Sequence, residues 1–202
     1  MASLSSSCTG SHRVLYWAFK NNPLFKRLFR DKAKLLEFFY AIELLTRSRL
    51  FRAICVVKAG RVLSVAILHD NSNTASGISR EALTSLLRSI SLSLLLEVMG
   101  WLGESVRYRG LLKRFENSCH LVFLASLIPG KGYGSSSLRG VEVICKKMGK
   151  DWILLDVDVE NRALRFYSRR GYRPVGVALF SGRNYVVLAK PLQCYGARGT
   201  GM

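Results

Sequence analysis

Pro129-Gly-Lys-Gly-Tyr-Gly-Ser-Ser-Ser137 lies between an apolar run, His120-Leu-Val-Phe-Leu-Ala-Ser-Leu127, and a stretch with helical spacing from 135 to 148. Glycines at 130, 132 and 134 permit positive φ and a close approach of backbone to ligand. The loop then opens a helix, whose first N–H groups have no partner within the chain and carry the positive end of the dipole. A loop of this kind is a ready cradle for pyrophosphate, although the same composition also serves as a plain strand-to-helix turn. The glycine spacing fits Gly-x-Gly-x-x-Gly poorly. No Gly-Lys-Ser/Thr is present, which sets a P-loop nucleotidase aside.

The flanks give the loop its context. His120 to Leu127 has the length and composition of a buried strand. Beyond the loop, Leu138, Val141, Ile144 or Cys145, and Met148 share one helical face, with Gly149 as a stop. Trp152 to Val159 reads as a strand. Asn161 is placed to cap a short helix over 162–170 that Gly171 closes. Tyr172 to Val177 and Asn184 to Ala189 predict two more strands. The predicted order is strand, glycine loop, helix, strand, helix, strand, strand.

This order resembles the GNAT superfamily of acetyl-CoA-dependent N-acetyltransferases. Gly130-Lys-Gly-Tyr-Gly-Ser135 stands where that family has Gln/Arg-x-x-Gly-x-Gly/Ala. Phe166-Tyr167 followed by Gly171-Tyr172 matches its Phe/Leu-Tyr-x-x-x-Gly-Phe ending. Ala18 to Phe29 is similar to the first-helix region of some members, so the weaker likeness extends over most of the chain. Three departures stand out. Pro129 leads the loop and brings no backbone donor. The connection from strand to loop is short. Glu160 occupies the usual place of an asparagine, and Asn161 is displaced by one.

The resemblance implies an α/β (α+β) fold: one mixed, mostly antiparallel twisted sheet flanked by helices, in a single domain. His120 to Leu127 would be strand four and Trp152 to Val159 strand five, with acetyl-CoA lying in the gap between them. Backbone N–H groups of Lys131, Gly132, Tyr133, Gly134 and Ser135 would hold the pyrophosphate. An N–H near Leu124, Ala125 or Ser126 would polarise the thioester carbonyl, with Asn161 as a further coenzyme contact. Tyr167 would be the general acid to the departing thiolate, or else an aromatic packed on the sheet. The acetyl group would pass directly to an amine acceptor, a small molecule or a protein amine, without a covalent cysteine intermediate.

Composition sets the remaining bounds. With 202 residues, 49% of them hydrophobic, the chain can bury a sizeable core. The expected division is a disordered tail over 1–12, one domain over 13–192 with its coenzyme-binding part at 120–190, and a loose tail over 193–202. The net charge of +18 is spread over both ends of the chain and favours acidic partners. The alternative function is therefore an inactive GNAT-like protein, or a basic protein that binds RNA or ribosomes.

Five cysteines at 8, 55, 119, 145 and 194 form no C-x-x-C pair and read as buried free thiols in a reducing compartment, hence a cytoplasmic location. Three histidines are too few and too dispersed for a metal site, and no metal is expected. No segment reads as membrane-spanning; Ile78 to Trp101 is apolar but interrupted by charge and reads as a helix capping the sheet. Val14 to Phe29 and Lys32 to Thr46 read as amphipathic helices, and 51–57 with 62–68 as a hairpin. Arg169-Arg170 and Lys146-Lys147 read as solvated helix faces. For a general base, Asp156, Asp158, His120, Glu104 and Glu116 are all open, and none is singled out.

Overall fold

The computed structural model describes residues 2–47, 51–70, 79–90, 110, 113–180 and 182–192. In chain order the elements are β1 (Ser3–Ser5), α1 (Ser11–Phe19), α2 (Pro23–Leu28), α3 (Lys32–Arg47), β2 (Phe51–Lys58), β3 (Arg61–Asp70) and α4 (Arg80–Ser89). They continue with β4 (Ser118–Ser126), α5 (Tyr133–Lys147), β5 (Trp152–Asp158), α6 (Ala163–Ser168), β6 (Arg173–Phe180) and β7 (Arg183–Pro191). The strands form one sheet in the order β1-β2-β3-β4-β5-β7-β6. Every pairing in it is antiparallel except that of β4 with β5. The mixed, mostly antiparallel sheet flanked by helices is the architecture that the resemblance implied.

Alternation along the strands divides the core into two layers. On one face, Cys55, Val65, Ile67 and Ala125 pack with Leu15 of α1 and Phe39 of α3. Phe19, Phe25, Phe39 and Phe123 join there in a set of edge and tilted ring contacts. On the other face, Leu121, Ile153, Leu155 and Val157 pack with Leu138, Val141 and Cys145 of α5 and Tyr167 of α6. α5 lies very close to the sheet: a Cβ on Gly140 would stand 2.8 Å from Cγ2 of Ile54.

Several expectations change. The helix expected over 14–29 is two helices, because Pro23 has no N–H to continue the first and Asn22 caps the second through Leu24 N at 2.9 Å. The expected tail over 1–12 is partly structured: residues 3–5 pair antiparallel with β2, and Ser11 already begins α1. Not all cysteines are free, since Cys8 and Cys55 form a disulfide with Cα atoms 5.7 Å apart. β1 sets Ser5 beside Cys55, and the turn that follows brings Cys8 over it. This bridge departs from the reducing compartment expected from the cysteine pattern. Cys119 and Cys145 are buried and take no part in a disulfide.

The hairpin is as expected and turns through Ala59 and Gly60, both at positive φ. The helix expected over 78–101 ends early: α4 stops at Ser89, where Ile90 turns extended, and it packs chiefly on α3, while 91–101 lie outside the described residues. The polar loop over 71–77, Glu104, Cys194 and the tail over 193–202 lie outside the described residues. Among the described residues, no helix is long and apolar enough to cross a membrane.

Candidate active site

β4 and β5 pair from Ser118 with Trp152 to Leu121 with Leu155, and then part. Past that point, among the described residues, β4 keeps only β3 as a partner, and Asp156 to Asp158 keep only β7. The register against β3 slips there as well: Leu121 faces Leu68 and Phe123 faces Ile67, leaving Val122 as a bulge. Backbone groups along Leu124, Ala125 and Ser126 on the β5 side thus face a gap that no described strand fills. An extended molecule with its own amide groups can occupy such a gap as an added strand would.

The glycine loop closes one end of the gap. Gly130 and Gly132 have φ of 77° and 79°, and a Cβ at either would meet nothing within 4 Å. The glycines are therefore needed for the turn, and they leave open space above it. Gly132 caps α5 without any side-chain bond, and the first intrahelical bond runs from Ser136 N to Gly132 O at 3.0 Å. The amides of Tyr133, Gly134 and Ser135 precede that bond, at the positive end of a 15-residue helix. A buried hydroxyl chain fixes this helix end over β4: Ser137 donates to Ser64 at 2.9 Å, and Ser64 to the Ala125 carbonyl at 2.8 Å. That chain was invisible in the sequence, because two ordinary serines 73 positions apart carry no pattern.

Two open grooves, each about 520 Å³, meet at Ser135 and Arg139. One runs from Lys131 and Gly132 toward Ser3 and Leu4 of β1. The other is walled by Arg169, Arg170 and Lys190. Arg170, expected on a solvated face, is half-buried: it lies over the Phe166 ring, donates to the Phe166 carbonyl at 2.7 Å, and donates to Ser135 Oγ. Cationic side chains thus surround unpaired amides, which suits a polyphosphate.

Tyr167 is held between Phe166 and Tyr172 in edge-on contacts and is 8% exposed. Burial raises its phenol pKa well above the ordinary range. Tyr172 shifts the same way through burial and its bond to Glu142 at 3.0 Å. Asn161 uses its side-chain oxygen on Ala163 N at 2.9 Å, at the start of α6.

On the opposite face of the sheet, His120 Nε2 lies 2.9 Å from Asp156 Oδ2, across the point where the strands part. Two positions on, Asp158 accepts from Arg183 at 2.6 Å, which lowers its pKa, and Arg183 also bonds Glu160. Burial and the neighbouring Asp158 push the Tyr185 phenol up to about 12. Sequence analysis left these acids and His120 as separate candidates; only the parallel register joins His120 with Asp156. Glu116 precedes β4 and is part of no such pair among the bonds described. No group of three or more His, Cys, Asp or Glu suited to a metal occurs among the described residues.

No protein-family model matches the sequence. An uncharacterized protein of Bacillus subtilis (strain 168), YxbD, is 33% identical over 81 residues, which is 39% of this chain and 51% of that protein. The match thus spans about half the length of that curated relative. A structure from Desulfovibrio desulfuricans assigned to the GNAT family of acetyltransferases superimposes with a TM-score of 0.60 at 9% identity, covering 96% of this chain and 100% of its own. The PaiA N-acetyltransferase of Thermoplasma acidophilum in complex with coenzyme A gives 0.53 at 14% identity, covering 95% and 99%. The ribosomal-protein-S18-alanine N-acetyltransferase of Escherichia coli gives 0.54 at 12% identity, covering 98% of both chains. Identities this low speak for architecture alone, and the architecture of this chain is the GNAT acetyltransferase fold.

Proposed function

We propose that the chain is an N-acetyltransferase that moves the acetyl group of acetyl-CoA directly to an amine. The observation that carries this is the parallel β4–β5 pair, which parts beyond Leu121 and Leu155 with a glycine loop and an uncapped helix end at its mouth. The gap suits the amide-bearing arm of the coenzyme, and the amides from Lys131 to Ser135 suit its pyrophosphate. Lys131, Arg139 and Arg170 add charge of the right sign beside them. Pro129 costs one donor but sits ahead of the cradle, so the amides at the start of α5 remain.

In this scheme a backbone N–H near Leu124, Ala125 or Ser126 polarises the thioester carbonyl and steadies the negative oxygen as the amine attacks. Holding amine and thioester together supplies much of the gain. Tyr167 donates a hydrogen bond to the sulfur as it departs. Asn161 takes the lesser part of fixing the start of α6. The fold shared with acetyltransferases, some of them bound to coenzyme A or acetyl-CoA, supports the choice of co-substrate.

The test is acetyl-CoA binding by calorimetry at low and moderate salt, followed by thiol release with a panel of amines. One-to-one micromolar binding that survives salt, with amine-dependent thiol release, is the expected result. Binding absent, or lost with salt, would overturn the proposal and leave the +18 charge and nucleic acid as the better account.

A further inference from the structure

A primary amine reaches the site as an ammonium ion and must lose a proton before it can attack. On the described residues, one pair is built and placed for that. His120 faces His69 directly across the β3–β4 ladder, and His69 contacts Phe51 of the α1–α3 face, so His120 projects to that face. Asp156 follows Leu155, the last residue of β5 that pairs with β4, and alternation puts it on the same face. The pair therefore bridges the floor of the gap on the side away from α5, whose amides take the phosphates. With the coenzyme entering along α5, this is the side left for the acceptor. The side chains are 21% and 27% exposed, reachable from solvent yet fixed by a 2.9 Å contact.

Resting on the acetyl transfer proposed above, we infer that His120 is the general base and that Asp156 is its positioning residue. Neutral His120 removes one proton from the ammonium. The freed lone pair forms the C–N bond to the thioester carbon, and the carbonyl π pair moves onto oxygen. That pair returns as the C–S bond breaks. The nitrogen then gives a second proton to the thiolate, with Tyr167 as relay, and keeps one as the amide N–H. His120 passes its proton to solvent. Acetyl-CoA and R–NH3⁺ thus become the amide, CoA thiol and H⁺, which balances. On the strands, His69, Asp158, Arg183 and Tyr185 are the neighbouring titratable or charged groups, and α1 and α3, which cover this face, bring His12, Tyr16, Tyr40 and Glu43. Arg183 offsets Asp158, leaving Asp156 as the carboxylate that meets His120.

His120→Gln and Asp156→Asn should be assayed with two probes: a peptide whose free amine is an α-amine, and an N-acetylated peptide whose free amine is a lysine side chain. At pH 7.5 the first, with a pKa of about 8, is partly deprotonated already, and the second, at about 10.4, is not. For the lysine probe His120→Gln should lose about 100-fold in kcat/KM. The α-amine probe should lose far less, and both losses should shrink as pH approaches the amine pKa. Acetyl-CoA Kd should stay within about twofold, and imidazole should restore part of the rate to His120→Ala. Asp156→Asn should lower kcat for the lysine probe while leaving its KM within about twofold, the split expected of a residue that positions the base. Equal losses for both probes at every pH, or wild-type rates in His120→Gln, would overturn the inference while acetyl transfer stands. Failure of the wild-type protein to acetylate either probe or any amine of the panel would overturn both.

Discussion

Tyr167 shows how burial decides what a side chain can contribute. Its phenol pKa is raised by loss of water, with Arg170 only partly opposing the shift. A free thiol has a pKa near 8.5, so complete transfer of the phenol proton to a thiolate runs uphill. In the proposed transfer the phenol would instead serve as a donor that passes on a proton only as it receives another. Tyr167→Phe keeps the packing against Phe166 and Tyr172 and removes only that relay. Turnover should fall about 100-fold while acetyl-CoA affinity changes by less than about twofold. Steady-state kinetics alongside calorimetry checks this, and unchanged turnover would leave Tyr167 as packing alone. Because burial keeps the phenol protonated, no loss of activity up to pH 10 should trace to it. The sequence singled out Tyr167 by its place before Gly171, as the acid or as an aromatic packed on the sheet, and the structure buries it there. The sequence placed Arg170 wrongly because the partner that orders it, Ser135, lies 35 positions away on another helix.

At the scale of elements, α1 and α5 are anchored by contacts with partners far away in the sequence. α1 is preceded by Gly10, which offers no capping side chain, and Glu43 of α3 does the work instead. Its carboxylate accepts from Gly10 N, His12 N, Ser11 Oγ and the His12 ring, at 2.7 to 3.1 Å. Burial alone would raise its pKa, but these bonds prevail and lower it to about 2. The folded state therefore holds this carboxyl ionised more firmly than the unfolded state does. The resulting stability is complete above about pH 4.5 and drains away as pH falls toward 2. Acid titration of the fold should show that loss in the wild-type protein, on the order of 2–3 kcal/mol, and Glu43→Gln should lack it. Superimposable acid limbs for the two proteins would remove Glu43 from the account. For α5 the device is Gly140, whose missing side chain lets the helix sit on Ile54. Gly140→Val forces the helix off β2 and should cost about 2 kcal/mol, read from denaturant midpoints; an equal midpoint would mean that Ile54 yields freely. The strands and α5 were legible because period-two and helical spacing are local signals. Glu43 and Gly140 were not, since a buried carboxylate and a helical glycine declare themselves only through distant partners.

Across the whole molecule, the N-terminal segment is part of the site's frame, not an appendage. β1 extends the sheet beyond β2, and its Ser3 and Leu4 wall the groove that begins at Lys131 and Gly132. Cys8–Cys55 holds the chain there, spanning 47 positions. The sequence could not announce this bridge: five scattered cysteines fit free thiols equally well until β1 is seen beside Cys55. Closing a loop of that length removes freedom from the unfolded chain, and the entropy model puts this at about 4 kcal/mol. For a protein of this size each kcal/mol moves the melting temperature by about 2–4 °C. Full reduction should therefore lower Tm by about 8–15 °C, with thiol titration confirming that two further cysteines have become reactive in denaturant. The loss should be largely thermodynamic, since the central strands keep their ladders without the bridge. β1, tied only by its short pairing with β2, should be the first segment to lose amide protection on reduction. Loss of β1 also opens the wall beside Lys131, so acetyl-CoA affinity should weaken in parallel. An unchanged Tm in verified reduced protein would show that the bridge constrains neither state, and an unchanged affinity would separate β1 from the phosphate cradle.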